Sequence, residues 1–148
     1  MDFERTYDKE LIQRAIRESW DRPQMLCDGA SLDRIPTLSA DAQCFAGFEG
    51  GEMMALFVGY QTSTVCLDLH CCLLPACRGA RAIRAVRDLI AWLPTVTGYR
   101  KITGSIPRYN RPMLFVALRA GMAVMAINRE STLRAGKLED QVIVEARL

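Results

Sequence analysis

The sequence predicts an α/β protein of the α+β kind: a mixed, mostly antiparallel sheet with a central parallel strand pair and helices on both faces. The pair Gly50-Gly51 between two apolar runs is typical of a β-hairpin, because both glycines tolerate positive φ. The stretch 65–93 has the pattern of a strand, a glycine turn and an amphipathic helix, and a further strand follows at 100–106. A strand reached through a helix usually lies parallel to the strand before it.

Length and composition indicate one ordinary globular domain. The 148 residues are 50% hydrophobic and 24% charged, which is enough for one core, so we expect a single domain over 1–148. The net charge is only +2 and the basic residues form no run, so nucleic-acid binding is not expected. No apolar run reaches the roughly 18 residues that a membrane span needs, so no membrane association is expected.

The first residues and the cysteines bear on localisation and metal binding. The N-terminal MDFERTYDKE lacks the apolar core of a signal peptide, so we expect a cytoplasmic protein with free thiols. Adjacent residues of a strand point to opposite faces, so Cys71 and Cys72 do not form a chelating pair. The chain has one histidine, His70, which leaves no Cys/His zinc spacing. We predict no metal site.

The first half of the chain predicts a helix followed by a strand meander. A helical stripe of apolar residues runs from Tyr7 to Trp20. Residues 21–41 mix Pro, Gly, Ser and Asp without a period, which predicts a long loop. Strands are predicted at Gln43–Glu49, Met53–Gln61 and Thr64–Leu74, and the third is the most apolar, so it should lie centrally.

The second half alternates helices with strands. A helix is predicted over 79–93, ended by Pro94, and a strand over 100–106. After a polar turn, a short helix over 112–120 has Pro near its start and Gly121 at its stop. The remaining predicted elements are a strand at 122–127, a polar connection at 128–140 and a last strand at 141–146. An exposed last strand offers an edge for pairing in a homodimer.

Two stretches of the chain resemble signatures of the GNAT superfamily, the acyl-coenzyme A dependent N-acyltransferases. LDLHCCLLPACRGARA at 67–82 resembles the central strand of that family followed by its pyrophosphate loop. NRPMLFVALRAGM at 110–122 resembles its fourth-helix signature. There Asn110 opens the helix, and Gly121 and Met122 close it eleven and twelve positions later. The resemblance covers roughly residues 43–146.

The resemblance implies a cofactor, a reaction and a set of binding residues. It implies an N-acetyltransferase that moves the acetyl group of acetyl-CoA to an amine of an unknown small molecule or protein. The cofactor arm is expected between two splayed parallel strands, and its pyrophosphate at the start of the following helix. The residues so implied are Leu73 and Leu74 for pantetheine, Arg78, Gly79, Ala80, Arg81 and Ala82 for pyrophosphate, and Asn110 for the cofactor arm.

The sequence departs from the family pattern at two places. The loop of the family typically reads Arg-Gly-x-Gly-x-Gly or Ala, whereas here Arg81 and Ile83 stand at the second and third glycines. Seven residues after Asn110, many members carry the Tyr that acts as general acid, whereas this chain has Ala117. A proton for the leaving thiolate then has to come from elsewhere, for instance from Tyr109, Cys71 or water, or the protein is not a competent transferase.

His70 and Asp68 are the candidate bases. An imidazole changes charge near neutral pH, which suits a general base. His70 and Asp68 have the same parity in the predicted strand, so they share a face. The alternative is that His70 is a hydrogen-bonded strand histidine without a chemical role. Asp68 in an apolar strand is costly to bury unpaired, which favours a cleft or an arginine partner.

A second class of function remains open. The altered loop and the missing tyrosine also fit a non-catalytic GNAT-like protein with a structural or assembly role. The compact pattern, with a helix and a long loop ahead of the hairpin, is similar to that of GNAT-like proteins encoded by tailed bacteriophages, some of which act in virion morphogenesis. On that interpretation the partner is a phage structural protein.

Overall fold

The computed structural model describes residues 1–20 and 38–148. Most of the loop predicted at 21–41, with Cys27, lies outside the described residues. The elements in chain order are β1 (Asp2–Thr6), α1 (Lys9–Ser19), β2 (Gln43–Glu49), β3 (Glu52–Ser63), β4 (Cys66–Leu73), α2 (Ala80–Val96), β5 (Lys101–Pro107), α3 (Arg111–Arg119), β6 (Ala123–Arg134) and β7 (Lys137–Arg147). The strands form one sheet in the order β1-β2-β3-β4-β5-β7-β6. The predicted fold class is confirmed.

The parallel pair at the centre of the sheet opens into a fork. β4 and β5 pair at three positions, Cys66 with Lys101, Leu67 with Ile102 and Asp68 with Thr103, and every other neighbouring pair of strands is antiparallel. Beyond Asp68 the two strands run on without pairing to each other. The fork therefore has its apex at the Asp68–Thr103 pair.

The helices cover the two faces of the sheet unequally. α1 buries Ile12, Ala15 and Ile16 against side chains of β2 and β3 on one face, here called the α1 face. α2 and α3 pack on the opposite face, the α2 face, where the larger core lies. Because the sheet is covered on both faces around β4, the fork is walled by helices.

The chain begins with a strand that the sequence pattern did not predict. β1 pairs antiparallel with β2 at the edge of the sheet. Its sequence DFERT carries one large apolar residue, Phe3, and so lacks a strand period. Tertiary contacts stabilise it: the ring of Phe3 lies 5.5 Å from that of Trp92, and the Met1 amino group binds Asp88 at 2.9 Å.

α2 continues past Pro94, contrary to the prediction that this proline ends it. The helix runs to Val96. Pro94 lacks the N–H that a helix interior requires, but it lies in the last turn, where little of the hydrogen-bond ladder remains to be lost. Thr97 then closes the helix, because both its backbone N–H and its hydroxyl donate to the Leu93 carbonyl, at 3.0 and 2.8 Å.

The polar connection predicted at 128–140 is wrong, because those residues lie mainly in the β6–β7 hairpin. Its two-residue turn is Ala135-Gly136, with φ of 50° and 73°, the conformation that suits a tight hairpin. The strand pattern is hidden in the sequence because the pairing shifts between Asn128 and Thr132. The last strand, β7, lies between β5 and β6, so the exposed edge belongs to β6 and not to the last strand as predicted.

Candidate active site

A cavity of about 430 Å³ lies at the fork between β4 and β5. Its walls come from both faces of the sheet, because the strands separate there. The α1 face contributes Ile16, Trp20, Tyr60, His70 and Cys72, and the α2 face contributes Cys71, Val86, Leu89, Met113 and Ala117. The cleft thus connects the two faces at the centre of the sheet.

The turn between β4 and α2 has the geometry of an anion site. Gly79 caps α2 with φ 59° and ψ −127°, a conformation that is essentially restricted to glycine. No side chain caps the helix, and its first turn contains no acidic residue. A Cβ at Gly79 would meet nothing within 4 Å. The first N–H groups of α2 therefore have no side-chain cap, and the positive end of the helix dipole lies behind them.

Arg81, at the position of the second family glycine, pairs with a carboxylate from β2. Its side chain is 56% exposed, and its Nε lies 3.6 Å from Oε2 of Glu49 at the end of β2. Arg84, one helical turn on, also pairs with Glu49. The arginine is thus held in an exposed ion pair with Glu49, and the charges of both side chains act on Cys77 in the turn.

The turn contains Cys77 and Arg78, and a second thiol, that of Cys71, is close to them. Burial raises the pKa of both thiols, that of Cys71 well above its usual range. The charge of the half-buried Arg78 lowers both pKa values by a smaller amount. Cys71 lines the cleft, but as a protonated thiol it is a poor nucleophile near neutral pH.

Leu73 ends β4 and Leu74 follows it; both are buried, and neither lines the cleft. Leu73 pairs with Ala55 of β3. The Leu74 N–H donates to the Met54 carbonyl at 3.0 Å, and its carbonyl accepts from Cys77 at 2.9 Å. An amide hydrogen has one partner, so the part of Leu74 that remains available to a ligand is the second lone pair of its carbonyl.

Asn110 joins the second predicted signature to the cleft. It is the N-cap of α3, and its Oδ1 accepts from the Met113 N–H at 3.2 Å. The asparagine also lines the cleft. Since capping uses only the side-chain oxygen, the NH₂ group is the part of Asn110 that is able to bind a ligand. Gly121 lies just beyond the helix with φ 104°, as its predicted role as a stop requires.

His70 and Asp68 lie together on the α1 face. His70 Nε2 is 3.6 Å from Asp68 Oδ2, and the side chains are 57% and 25% exposed. The other carboxylate oxygen, Oδ1, accepts from the Thr103 hydroxyl at 2.8 Å. The ring of Tyr60 meets the imidazole edge to face at 5.6 Å. The shared face predicted for His70 and Asp68 is confirmed, and the partner of the aspartate is a threonine and not an arginine.

Tyr109 lies in the turn before α3, under the β6–β7 hairpin. Its ring is 4.3 Å from the guanidinium carbon of Arg134. The turn is attached to β7, because the Arg108 N–H donates to the Asp140 carbonyl at 2.8 Å. The described residues that line the cleft include Asn110 but not Tyr109. The catalytic role of Tyr109 stays a prediction.

Sequence reasoning missed Thr103 and Tyr60. Thr103 reaches the site because β5 pairs with β4 in a register that no local pattern encodes. Tyr60 lies on β3, where Asp68 is its paired residue. Burial raises the pKa of Tyr60, whereas a hydrogen bond with Ser39 lowers it. The sequence signal that was available for Tyr60 is its parity with Val58, which is also on the α1 face.

Residues 1–20 and 38–148 contain no group of three or more His, Cys, Asp or Glu side chains that could hold a metal ion. Within the same ranges, no helix is long and apolar enough to cross a membrane.

No family model matches the sequence, and no curated protein matches it. Solved structures do match. Spermidine N-acetyltransferase from Vibrio cholerae in complex with CoA and spermine is 11% identical, covers 99% of this chain and 94% of its own, and has a TM-score of 0.70. The IAA acetyltransferase from Bacillus cereus is 14% identical with 99% of each chain covered and a TM-score of 0.66.

A third structure, ribosomal-protein-alanine N-acetyltransferase from Brucella melitensis, is 9% identical over 100% of both chains, with a TM-score of 0.70. At these identities the likeness concerns the fold. The matches do not support a bacteriophage origin. The three alignments span nearly the whole chain at TM-scores of 0.66 to 0.70, and so the chain has the GNAT fold of the N-acetyltransferases.

Proposed function

We propose that the protein is an N-acetyltransferase that moves the acetyl group of acetyl-CoA to an amine. One observation carries the proposal: the cleft at the β4–β5 fork has Val86 and Leu89 of α2 on one side and His70, which lies beside Asp68, on the other. The start of α2, whose terminus suits phosphate, does not line this cleft but follows β4 directly in the chain. The V. cholerae spermidine N-acetyltransferase, solved with CoA and spermine on a similar fold, supports both the cofactor and an amine acceptor.

The residues of this chain fit the cofactor. The N–H groups at the start of α2, from Ala80 to Ala82, suit the pyrophosphate because no side chain caps the helix and a Cβ at Gly79 would meet nothing. Arg78, beside Gly79 in the turn, adds positive charge. The edge of β4 that faces β5 is unpaired beyond Asp68, and its backbone groups, together with the Leu74 carbonyl, suit the amide groups of pantetheine. The Asn110 NH₂ group is a donor for the same arm.

Acetyl-CoA supplies a thioester: the amine nitrogen forms a bond to the carbonyl carbon, the C–S bond breaks, and the sulfur leaves as a thiolate. The attacking nitrogen has to lose one proton, and we assign its acceptance to His70, with Asp68 beside it. The thiolate has to gain one proton, for which Tyr109 and water remain candidates. Cys71 is less suited, because its raised pKa makes it a weak acid.

Calorimetric titration with acetyl-CoA, and separately with CoA, tests the proposal first. We expect micromolar binding, and we expect Arg78→Glu to weaken it at least tenfold, about 1.4 kcal/mol. Arg147→Glu is the matched control, because this exposed arginine pairs with the start of β5, at the end of the strands away from the fork. The acceptor screen then begins with polyamines and peptides with N-terminal alanine, with His70→Ala as the inactive control.

Absence of binding at millimolar ligand would contradict the proposal. It would favour the alternative, a non-catalytic role in assembly, whether in a phage particle or as a homodimer. β6 is relevant to that alternative, because it is a sheet edge with Val124, Met125 and Ile127 about half exposed.

A further inference from the structure

Asp68 is fixed at the apex of the fork. It is the last residue of β4 that pairs with β5, and its partner there is Thr103. The two side chains also bond across the strands, since the Thr103 hydroxyl donates to Asp68 Oδ1 at 2.8 Å. Backbone pairing and a side-chain hydrogen bond at the same position leave the carboxylate little freedom to rotate.

The second carboxylate oxygen faces the imidazole. Asp68 Oδ2 lies 3.6 Å from His70 Nε2, slightly beyond a hydrogen bond and within reach of a small side-chain movement. The Tyr60 ring packs against the imidazole with its plane at 84° to it. His70 is therefore held between a carboxylate on its own strand and an aromatic ring on β3.

An ionised carboxylate only accepts hydrogen bonds. The nitrogen that faces it is stabilised when it carries a hydrogen, so the arrangement favours the neutral imidazole with the proton on Nε2. The other nitrogen, Nδ1, is then the one with a free lone pair. The remaining titratable side chains of described residues close to His70 are Cys72 on β4 and Tyr60 on β3, and α1 contributes the apolar Ile16 and Trp20 to this part of the cleft.

We propose that Thr103 and Asp68 set the tautomer of His70, so that Nδ1 is the atom that accepts the proton of the amine and Asp68 acts as a positioning residue. The inference rests on the proposed function, which identifies the amine substrate as the group that gives up the proton. It divides the roles of the two candidate bases, because both oxygens of Asp68 are already directed at other side chains. Thr103 lines the cleft and acts through its hydrogen bond to Asp68.

The single histidine of the chain makes the test direct. In protein labelled with ¹⁵N, the side-chain nitrogens of His70 give one pair of resonances, and their shifts distinguish the protonated from the unprotonated nitrogen. At a pH where the imidazole is neutral, we expect the Nε2–H tautomer to predominate in the wild type. Asp68→Asn should shift the population towards Nδ1–H, because the Asn side-chain NH₂ group is able to donate to Nε2.

Variants of Thr103 separate positioning from folding. Thr103→Val should produce a mixture of tautomers, Thr103→Ser should retain the wild-type ratio because its hydroxyl remains, and Thr64→Val, at an exposed turn, should leave the ratio unchanged. A dispersed backbone amide spectrum shows that each variant is folded. An Nδ1–H majority in the wild type, or a ratio that Thr103→Val leaves unchanged, overturns the inference.

Kinetics with an identified acceptor give the second readout. Thr103→Val should lower kcat at least threefold with unchanged affinity for acetyl-CoA, and Thr103→Ser should restore it. A loss confined to KM would contradict the positioning role. The tautomer is measured without cofactor, so the two failures are distinguishable: absence of acetyl-CoA binding rejects the function, whereas an unexpected tautomer rejects the positioning.

Discussion

The two halves of the cleft are built in different ways. On the α2 face, the anion site depends on neighbours in the chain, because β4, the turn with Gly79 and the start of α2 follow one another within a few residues. On the α1 face, the site depends on strand pairing, because Asp68, Thr103 and Tyr60 come from three strands. A local motif therefore marks the first half, and sheet register determines the second.

This difference has a consequence for how each half tolerates substitution. A local site depends on backbone conformation at one or two positions, so a change there should affect binding before it affects the rest of the fold. A site formed by register is supported by the whole sheet, so single side-chain changes there should alter chemistry and leave the architecture intact.

Gly79→Ala should have the largest effect on the local half. A residue with a Cβ atom at φ 59° and ψ −127° is strained by about 1–3 kcal/mol, although no neighbouring atom obstructs the Cβ. We expect either a destabilisation of that size by chemical denaturation or a rearranged turn with at least tenfold weaker CoA binding. Gly98→Ala is the control, because that glycine is also in open space and has no positive φ. If Gly79→Ala and Gly98→Ala have equal stability and equal CoA affinity, the turn at Gly79 does not form the anion site.

The stability of the protein at alkaline pH tests one buried thiol on each face of the sheet. Burial raises the pKa of Cys72, on the α1 face, to about 11, and that of Cys71, on the α2 face, well above its usual range. Between pH 9 and 11 the folded protein retains protons that the unfolded chain releases, so stability that is present below pH 9 is lost as the pH rises.

The expected loss through Cys72 is about 1–2 kcal/mol, since one pKa unit corresponds to about 1.4 kcal/mol. It is measured as the difference in unfolding free energy between pH 8 and 10.5. Cys72→Ala should reduce this pH dependence. Cys71→Ala, the same change on the α2 face, should also reduce it. If the unfolding free energy of the wild type and of both variants depends on pH in the same way, neither thiol has a raised pKa in the folded protein.

Asn110 tests whether helix capping and ligand binding are separable. Asn110→Ala should destabilise the protein by about 1 kcal/mol, because the bond from the Met113 N–H to Oδ1 is lost. Asn110→Ser should keep most of the stability, because a serine hydroxyl also caps a helix, yet it lacks the NH₂ group. Thermal unfolding and calorimetry with CoA measure the two effects. Full CoA affinity in Asn110→Ser would remove Asn110 from the cofactor site.

Arg81→Gly, which restores the second family glycine, should have the smallest effect. The Arg81 side chain pairs with Glu49 on the surface, and an exposed ion pair contributes little. We expect less than a threefold change in CoA affinity, together with a helix-propensity cost of at most about 1 kcal/mol. A large gain in affinity would mean that the arginine obstructs the cofactor, which would weaken the distinction between the two halves.

Much of the fold was predictable because its signals are local. The glycine pair Gly50-Gly51 predicted the β2–β3 hairpin, and Asn110 with Gly121 predicted the bounds of α3. β1 was not predictable, because DFERT has no strand period and is held by contacts with Trp92 and Asp88 that are distant in sequence. The β6–β7 hairpin was missed because its irregular pairing interrupts the alternation on which strand prediction depends.

The order of elements around the cleft, the glycine turn before α2 and the common face of His70 and Asp68 were all predictable, since each follows from spacing along a few residues. The ion pair of Arg81 with Glu49, the bond of Thr103 to Asp68 and the contact of Tyr109 with Arg134 became known only from the folded chain. Each of these contacts joins separate strands, helices or turns. Their geometry depends on register and packing, which no local pattern of residues specifies.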